Sequence, residues 1–276
     1  MGVLFGGLAS LIYGIADFLG GEGAKRVTAA TVVLWAGSIS LPLLTIVASI
    51  VGGQASTGDY LLGAAAGSLG SVGLVFLFAG LGRGHAAAVA PAAAVTSGVF
   101  PLLFAVMRGE TLGPVEWFGV VLAAPAIVLC SWVADRGDVP LGGVWYGLIA
   151  GLGFGGYNIV IERTSEASAL LPLIPARAAT VGLVAVASLL GLWKVTGWRT
   201  VPQPIVVGNA VLDAAGNVAI LVGLRAGTLA RVSIAAAFYP VITVLLARLV
   251  NSEHLRARQI VGLALSIVAL AAIALG

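Results

Sequence analysis

Asp213 stands in the middle of a long apolar run, with Asn209 four residues before it and Asn217 four residues after it. In a helix, a spacing of four places all three on one face. An acidic side chain at that depth in lipid costs on the order of a few kcal/mol, so the stripe must look into a helix bundle or a water-filled cavity. Two readings follow. The stripe is a site for a polar substrate or a cation, with Asp213 as a candidate proton carrier. Alternatively, it is a structural contact, for example to an arginine on a neighbouring helix.

A second group carries related chemistry. Asp17 and Asn158 are polar residues late in two other apolar runs, with Tyr13 and Tyr157 one helical turn or less away. A carboxylate, an amide and two phenols lining one cavity would orient a small polar substrate. Asp17 reads equally well as a solvated residue at the interface. Arg177 and Arg231 lie early in their runs. The guanidinium fork suits a carboxylate, including one on a substrate. Snorkelling to the interface is the reading favoured for both. Tyr239, just before Pro240, faces such a cavity or serves as an ordinary core aromatic. Glu110 and Glu253 precede the last run of each half, where a carboxylate complements a helix N-terminus and anchors a hairpin.

Other chemistries find little footing. Cys130 is the single cysteine, and His85 and His254 sit at the ends of runs, so neither a disulfide nor a metal-ligand cluster is expected. No cofactor is implied. Neither a Walker-type phosphate loop nor a Gly-x-Ser-x-Gly elbow occurs. An intramembrane enzyme would have to rest on carboxylates such as Asp17 and Asp213, and no enzymatic function is expected. The surplus of three positive charges reflects basic loops, and no nucleic-acid partner is inferred from it.

The elements that hold these residues follow from composition. The chain is 60% hydrophobic and 9% charged, with mean hydropathy +1.10. A soluble domain carries about 25% charged residues. Lipid leaves peptide groups no outside partner, so only a helical bundle or a closed barrel can span it. The apolar runs are continuous and about 20 residues long, as spanning helices require. The expected fold is therefore an all-α membrane protein. Ten transmembrane helices are predicted over roughly 3–21, 29–51, 60–81, 86–107, 114–134, 141–161, 171–193, 204–224, 228–250 and 255–275. The first run lacks a basic leader and contains Tyr13 and Asp17, so it reads as a span and not a signal peptide. Trp117, Trp132, Trp145, Trp193 and Trp198 fall near span ends, with Trp35 the exception. Gly63 and Gly67, and Gly147, Gly151 and Gly155, recur every fourth residue and predict close helix packing. Pro91, Pro101 and Pro240 interrupt spans four and nine.

The runs are written twice. Gly109-Glu110-Thr111-Leu112 is echoed 143 residues later by Ser252-Glu253-His254-Leu255, and Gly73, Gly80, Gly84 and Gly119 by Gly216, Gly223, Gly227 and Gly262. Tyr13-Gly14 and Asp17 align with Phe154-Gly155 and Asn158 at an offset of 141. Residues 1–137 and 138–276 thus form two five-helix halves. Five is odd, so the halves are inverted relative to each other. Gly70 holds the place of Asp213, which confines the polar stripe to the second half. Of the 14 Lys and Arg residues, nine fall with odd-numbered loops and five with even-numbered ones. The positive-inside rule then puts both termini outside.

These features together resemble the EamA-type transporters of the drug/metabolite transporter superfamily. The resemblance rests on Pro101, Gly109, Glu110 and Gly119, then on Tyr239, Pro240, Glu253 and Gly262, and covers essentially the whole chain. Ser252 departs from the usual glycine, and Pro101 lies nearer its glutamate than Pro240 does. Members usually keep both termini in the cytoplasm, against the charge count. The resemblance implies a secondary carrier of small metabolites, amino acids or related compounds, often exported through a central cavity by alternating access. The expected partners are a small-molecule substrate, protons as a candidate coupling ion, and the lipid bilayer. The expected setting is a bacterial inner (cytoplasmic) membrane, as a monomer or weak homo-oligomer. A channel or a carboxylate-based intramembrane enzyme remains the alternative.

Overall fold

The computed structural model describes residues 1–83, 86–109, 113–131, 141–251 and 257–275. Its α-helices are α1 (Gly2–Ala24), α2 (Ala29–Val51), α3 (Thr57–Leu81), α4 (Ala86–Met107), α5 (Pro114–Ser131), α6 (Leu141–Ile161), α7 (Leu173–Leu189), α8 (Gln203–Arg225), α9 (Leu229–Ala236), α10 (Tyr239–Asn251) and α11 (Ala257–Leu275). Among the described residues, seven stretches are long and apolar enough to cross a membrane. They are α1, α2, α3, most of α4, most of α6, α8, and the joined run Leu229–Val250. Glu110, Ser252, Glu253, His254, His85 and Trp132 lie outside the described residues.

Local signals set the helix ends. Thr28 caps α2 by accepting from the Thr31 backbone N–H at 3.2 Å. Ser56 and Asp59 form a reciprocal capping box at the start of α3. Asp59 also accepts from the backbone and hydroxyl of Ser165, which ties the α6–α7 connection to α3. The ninth predicted span is not one helix. It breaks at Ala237 and Phe238, between α9 and α10. Pro240 lacks an N–H, and its ring opposes the carbonyl four residues back, that of Ala236. By contrast, α4 runs without a break through Pro91 and Pro101. Trp35, away from a span end, donates from Nε1 to the Thr196 carbonyl at 3.0 Å and meets the Trp198 ring at 5.5 Å.

The helices pack through their small residues. A Cβ on Gly147 would lie 2.5 Å from the Val89 carbonyl oxygen and 2.7 Å from Ala92 Cβ. A Cβ on Gly6 would lie 2.8 Å from the Val232 carbonyl oxygen and 2.8 Å from Ala235 Cβ. Val89 and Ala92, displaced by 143, become Val232 and Ala235. The Phe154 ring lies over Gly73, and the Tyr13 ring lies over Gly216. The pattern extends to whole helices. α1 packs along α8 as α6 packs along α3, and α9 and α10 pack on α1 as α4 packs on α6.

Buried apolar side chains gather in two large clusters. One joins the starts of α2, α4 and α8 to the end of α3, around Val32, Phe78, Val89 and Val206. The other joins the ends of α6 and α8 to the starts of α7 and α9, around Ile161, Leu173, Leu221 and Val232. Tyr13 packs against both. Large apolar side chains also face outward, among them Leu4, Ile50, Leu61, Val121, Leu189 and Leu249. In water such a surface would drive association; in lipid it is the solvated face.

Close approach is greatest where α3 meets α7. A Cβ on Gly67 would overlap the Ala176 carbonyl, whereas one on Gly182 meets nothing within 4 Å. Gly67→Ala is therefore expected to destabilise the protein by about 1–3 kcal/mol or more. Gly182→Ala should be neutral or stabilising by up to about 1 kcal/mol. Unfolding of the two variants in detergent checks the contrast.

Candidate functional site

A cavity of about 90 Å³ opens where the two apolar clusters meet. That is room for several waters, where a single one needs only about 10–15 Å³ by this measure. Its walls draw on α1–α4 and α6–α10. Tyr13, Asp17, Tyr157, Asn158, Arg177, Asp213, Asn217 and Tyr239 all line it. Eight of the nine binding residues expected from sequence therefore converge on one space, from five helices.

Asn209 is the exception. Its amide donates to the Ala16 carbonyl at 2.7 Å, which ties α8 to α1 behind the cavity wall. It shares a helical face with Asp213 but sits one turn nearer the start of α8, against α1. Of the three stripe residues, Asp213 and Asn217 line the cavity and Asn209 does not.

Arg177 is also placed differently from the favoured reading. It does not snorkel. It is buried, 6% exposed, and donates from Nη2 to Asp213 Oδ2 in an ion pair between α7 and α8. Its depth removes it from the loop charges counted for orientation. Arg231 is exposed, as snorkelling requires. The Asp213 carboxylate thus has its own countercharge, and the Asn217 amide donates back to the Asp213 carbonyl at 2.7 Å. The functional and structural readings of Asp213 are not exclusive here, because the pair is itself part of the cavity wall.

The remaining polar groups divide into satisfied and unsatisfied. The Asn158 amide donates to Ser233 Oγ at 3.2 Å. Thr180 Oγ1 donates to the carbonyls of Gly67 and Ala176. The hydroxyls of Tyr157 and Tyr239 are buried and have no hydrogen-bond partner among the described residues. Asp17 is 5% exposed, so it is not a solvated interfacial residue. Tyr239 also packs edge-on against Phe154, with ring centroids 6.4 Å apart.

Ser97, Thr180, Ser233 and Phe154 line the cavity too, and sequence reasoning did not single them out. Two signals were available. Thr180 follows Arg177 by three residues, hence on the same face. Phe154 is the repeat counterpart of Tyr13. Serines on helices carry no comparable mark, because most of them bond to their own helix backbone, as Ser97 does to Ala94.

Residues 1–132, and again residues 141–275, match the EamA-like transporter family. The chain belongs to that family. It is thus an integral membrane protein of a transporter family, with a small molecule and membrane lipid as its partners. No curated protein matches this EamA-like chain. A crystal structure described only as that of a protein is similar to it, with 16% identity and a TM-score of 0.67 over 99% of this chain and 97% of its own. At that identity the likeness shows the fold alone.

The ion pair makes a sharp prediction. Removing one member of a buried pair strands the other charge, at a cost of about 3–5 kcal/mol, whereas an apolar replacement of both is often neutral. Arg177→Met should therefore destabilise the protein more than the double variant Arg177→Met/Asp213→Leu does. Equilibrium unfolding in mixed micelles reads the difference.

Proposed function

We propose that this protein is a secondary carrier of small polar or amphiphilic metabolites, foremost amino acids and related compounds, with export the favoured direction. The observation that carries the reading is the cavity. It lies within an apolar bundle, yet its wall holds a carboxylate and two phenols that find no partner among the described residues. Buried polar groups are normally satisfied, and groups left open around a shared space suit a ligand that satisfies them in turn. One chain supplies the whole wall, in keeping with a monomer or weak homo-oligomer.

In this account ten segments cross a bacterial inner membrane, in inverted halves 1–137 and 138–276. The ninth crossing is the broken one, α9 and α10. Recurrence of the same helix contacts at offsets of 141 and 143 supports the two halves, as does the double family match. Inverted halves with equivalent packing can exchange arrangements, which opens the same site to each side in turn. The apolar clusters at both ends of the bundle favour such a carrier over an open channel. Asp17 is also the residue best placed to hold a coupled proton.

Counterflow in liposomes tests the reading. Labelled amino acids should exchange faster in proteoliposomes than in empty vesicles, and flux should saturate. Failure across a broad metabolite panel, run with and without a proton gradient, contradicts it. The phenols give a sharper test. Tyr157→Phe and Tyr239→Phe remove hydroxyls that have no partner among the described residues, so stability should hold or rise slightly. Flux at low substrate should fall by about tenfold, the equivalent of one lost hydrogen bond worth about 1.4 kcal/mol. A loss of stability with flux retained would assign both hydroxyls to the fold.

A further inference from the structure

Three charged side chains line the cavity: Asp17, Arg177 and Asp213. Arg177 and Asp213 neutralise each other. Asp17 has no such partner. Among the described residues, neither a hydrogen bond nor an ion pair reaches its carboxylate. The charge presented to a ligand is therefore that of Asp17.

The other half of the protein shows what a satisfied version of this position looks like. Asn158, the repeat counterpart of Asp17, donates to Ser233 on α9. The offset of 143 carries Ser233 onto Ala90, which is buried on α4 and has no side-chain donor. One half thus closes its polar group internally, and the other leaves a carboxylate open to the cavity. The unpartnered hydroxyls of Tyr157 and Tyr239 line the same space.

The chemistry of the gap is specific. A carboxylate only accepts hydrogen bonds, a phenol can donate or accept, and an ammonium only donates, with three protons. A ligand ammonium would give Asp17 its countercharge and place its three protons on the carboxylate and the phenol oxygens. Tyr13, Phe154 and Tyr239 also line the cavity, and aromatic rings attract a cation that lies over a face. A ligand carboxylate meets no uncompensated positive charge in this wall, because Arg177 is already paired with Asp213.

We propose that Asp17 is the specificity-determining residue of the cavity and selects ligands with a free, protonated amino group, whether or not they carry a carboxylate. This rests on the cavity being the substrate site.

The test uses purified full-length protein and four sets of probes. Each set pairs glycine, alanine, leucine or phenylalanine with its amide, its decarboxylated amine and its N-acetyl form. Binding is read by thermal shift in detergent, and competition by counterflow in liposomes. Within at least one set, the amide and the amine should bind about as well as the parent. Each N-acetyl form should be weaker by about 100-fold or more, because it leaves the carboxylate without its ammonium. Asp17→Asn should remove the gap between amine and N-acetyl forms while its melting temperature stays near that of the parent protein. Asp17→Glu should restore part of the gap. N-acetyl forms that bind as well as the amines overturn the proposal, as does an Asp17→Asn variant that keeps the preference. Binding by none of the amines also overturns it. The carrier reading falls separately, if no metabolite of any charge is transported.

Discussion

Lipid offers no partner to a polar group, and this constraint organises the molecule. Each backbone amide and carbonyl must be satisfied within the protein, which leaves helices or a closed barrel, and the continuous apolar runs select helices. The same demand falls on side chains. Arg177 finds Asp213 across the gap between α7 and α8, Asn209 finds the Ala16 carbonyl, and Asn158 finds Ser233. Thr243 likewise donates to the Gly14 carbonyl at 3.0 Å, which ties α10 to α1. Against this background, the groups left open around the central cavity stand out as places where the protein has not closed its own accounts.

Hydrophobicity cannot hold the bundle together, since lipid tails are as apolar as leucine. Shape does it instead. Gly6 and Gly147 let α1 and α6 approach the backbones of α9 and α4, and Gly67 brings α3 onto α7. Such close contacts leave little room for gradual deformation. The break at Ala237 and Phe238 interrupts one of the bundle's elements beside the cavity.

The architecture was legible in the sequence because its signals are collective. Continuous apolar runs and a glycine pattern repeated at a fixed offset survive errors at single positions. Much of the candidate site was legible for a related reason, since charged residues such as Asp17 and Asp213 are costly in lipid and so mark positions that must face the bundle interior. What each residue touches was not legible. Asn209 and Asp213 share a face, yet a one-turn difference in depth sends one to α1 and the other to Arg177. Arg177 sits early in its helix, where snorkelling is usual, but α7 starts only at Leu173, close beside the cavity wall. Ser233 carried no mark at all, because its meaning depends on Asn158 across the bundle.

The central claim is that substrate occupies this cavity. Cys130 is the single cysteine, so a Cys130→Ser background leaves one thiol to introduce. Ser97→Cys would place that thiol in the cavity wall. The rate at which a small thiol reagent modifies Cys at this position should fall as transported substrate is added, with half-protection at the concentration that half-saturates transport. A modification rate unchanged by saturating, transported substrate would contradict the account.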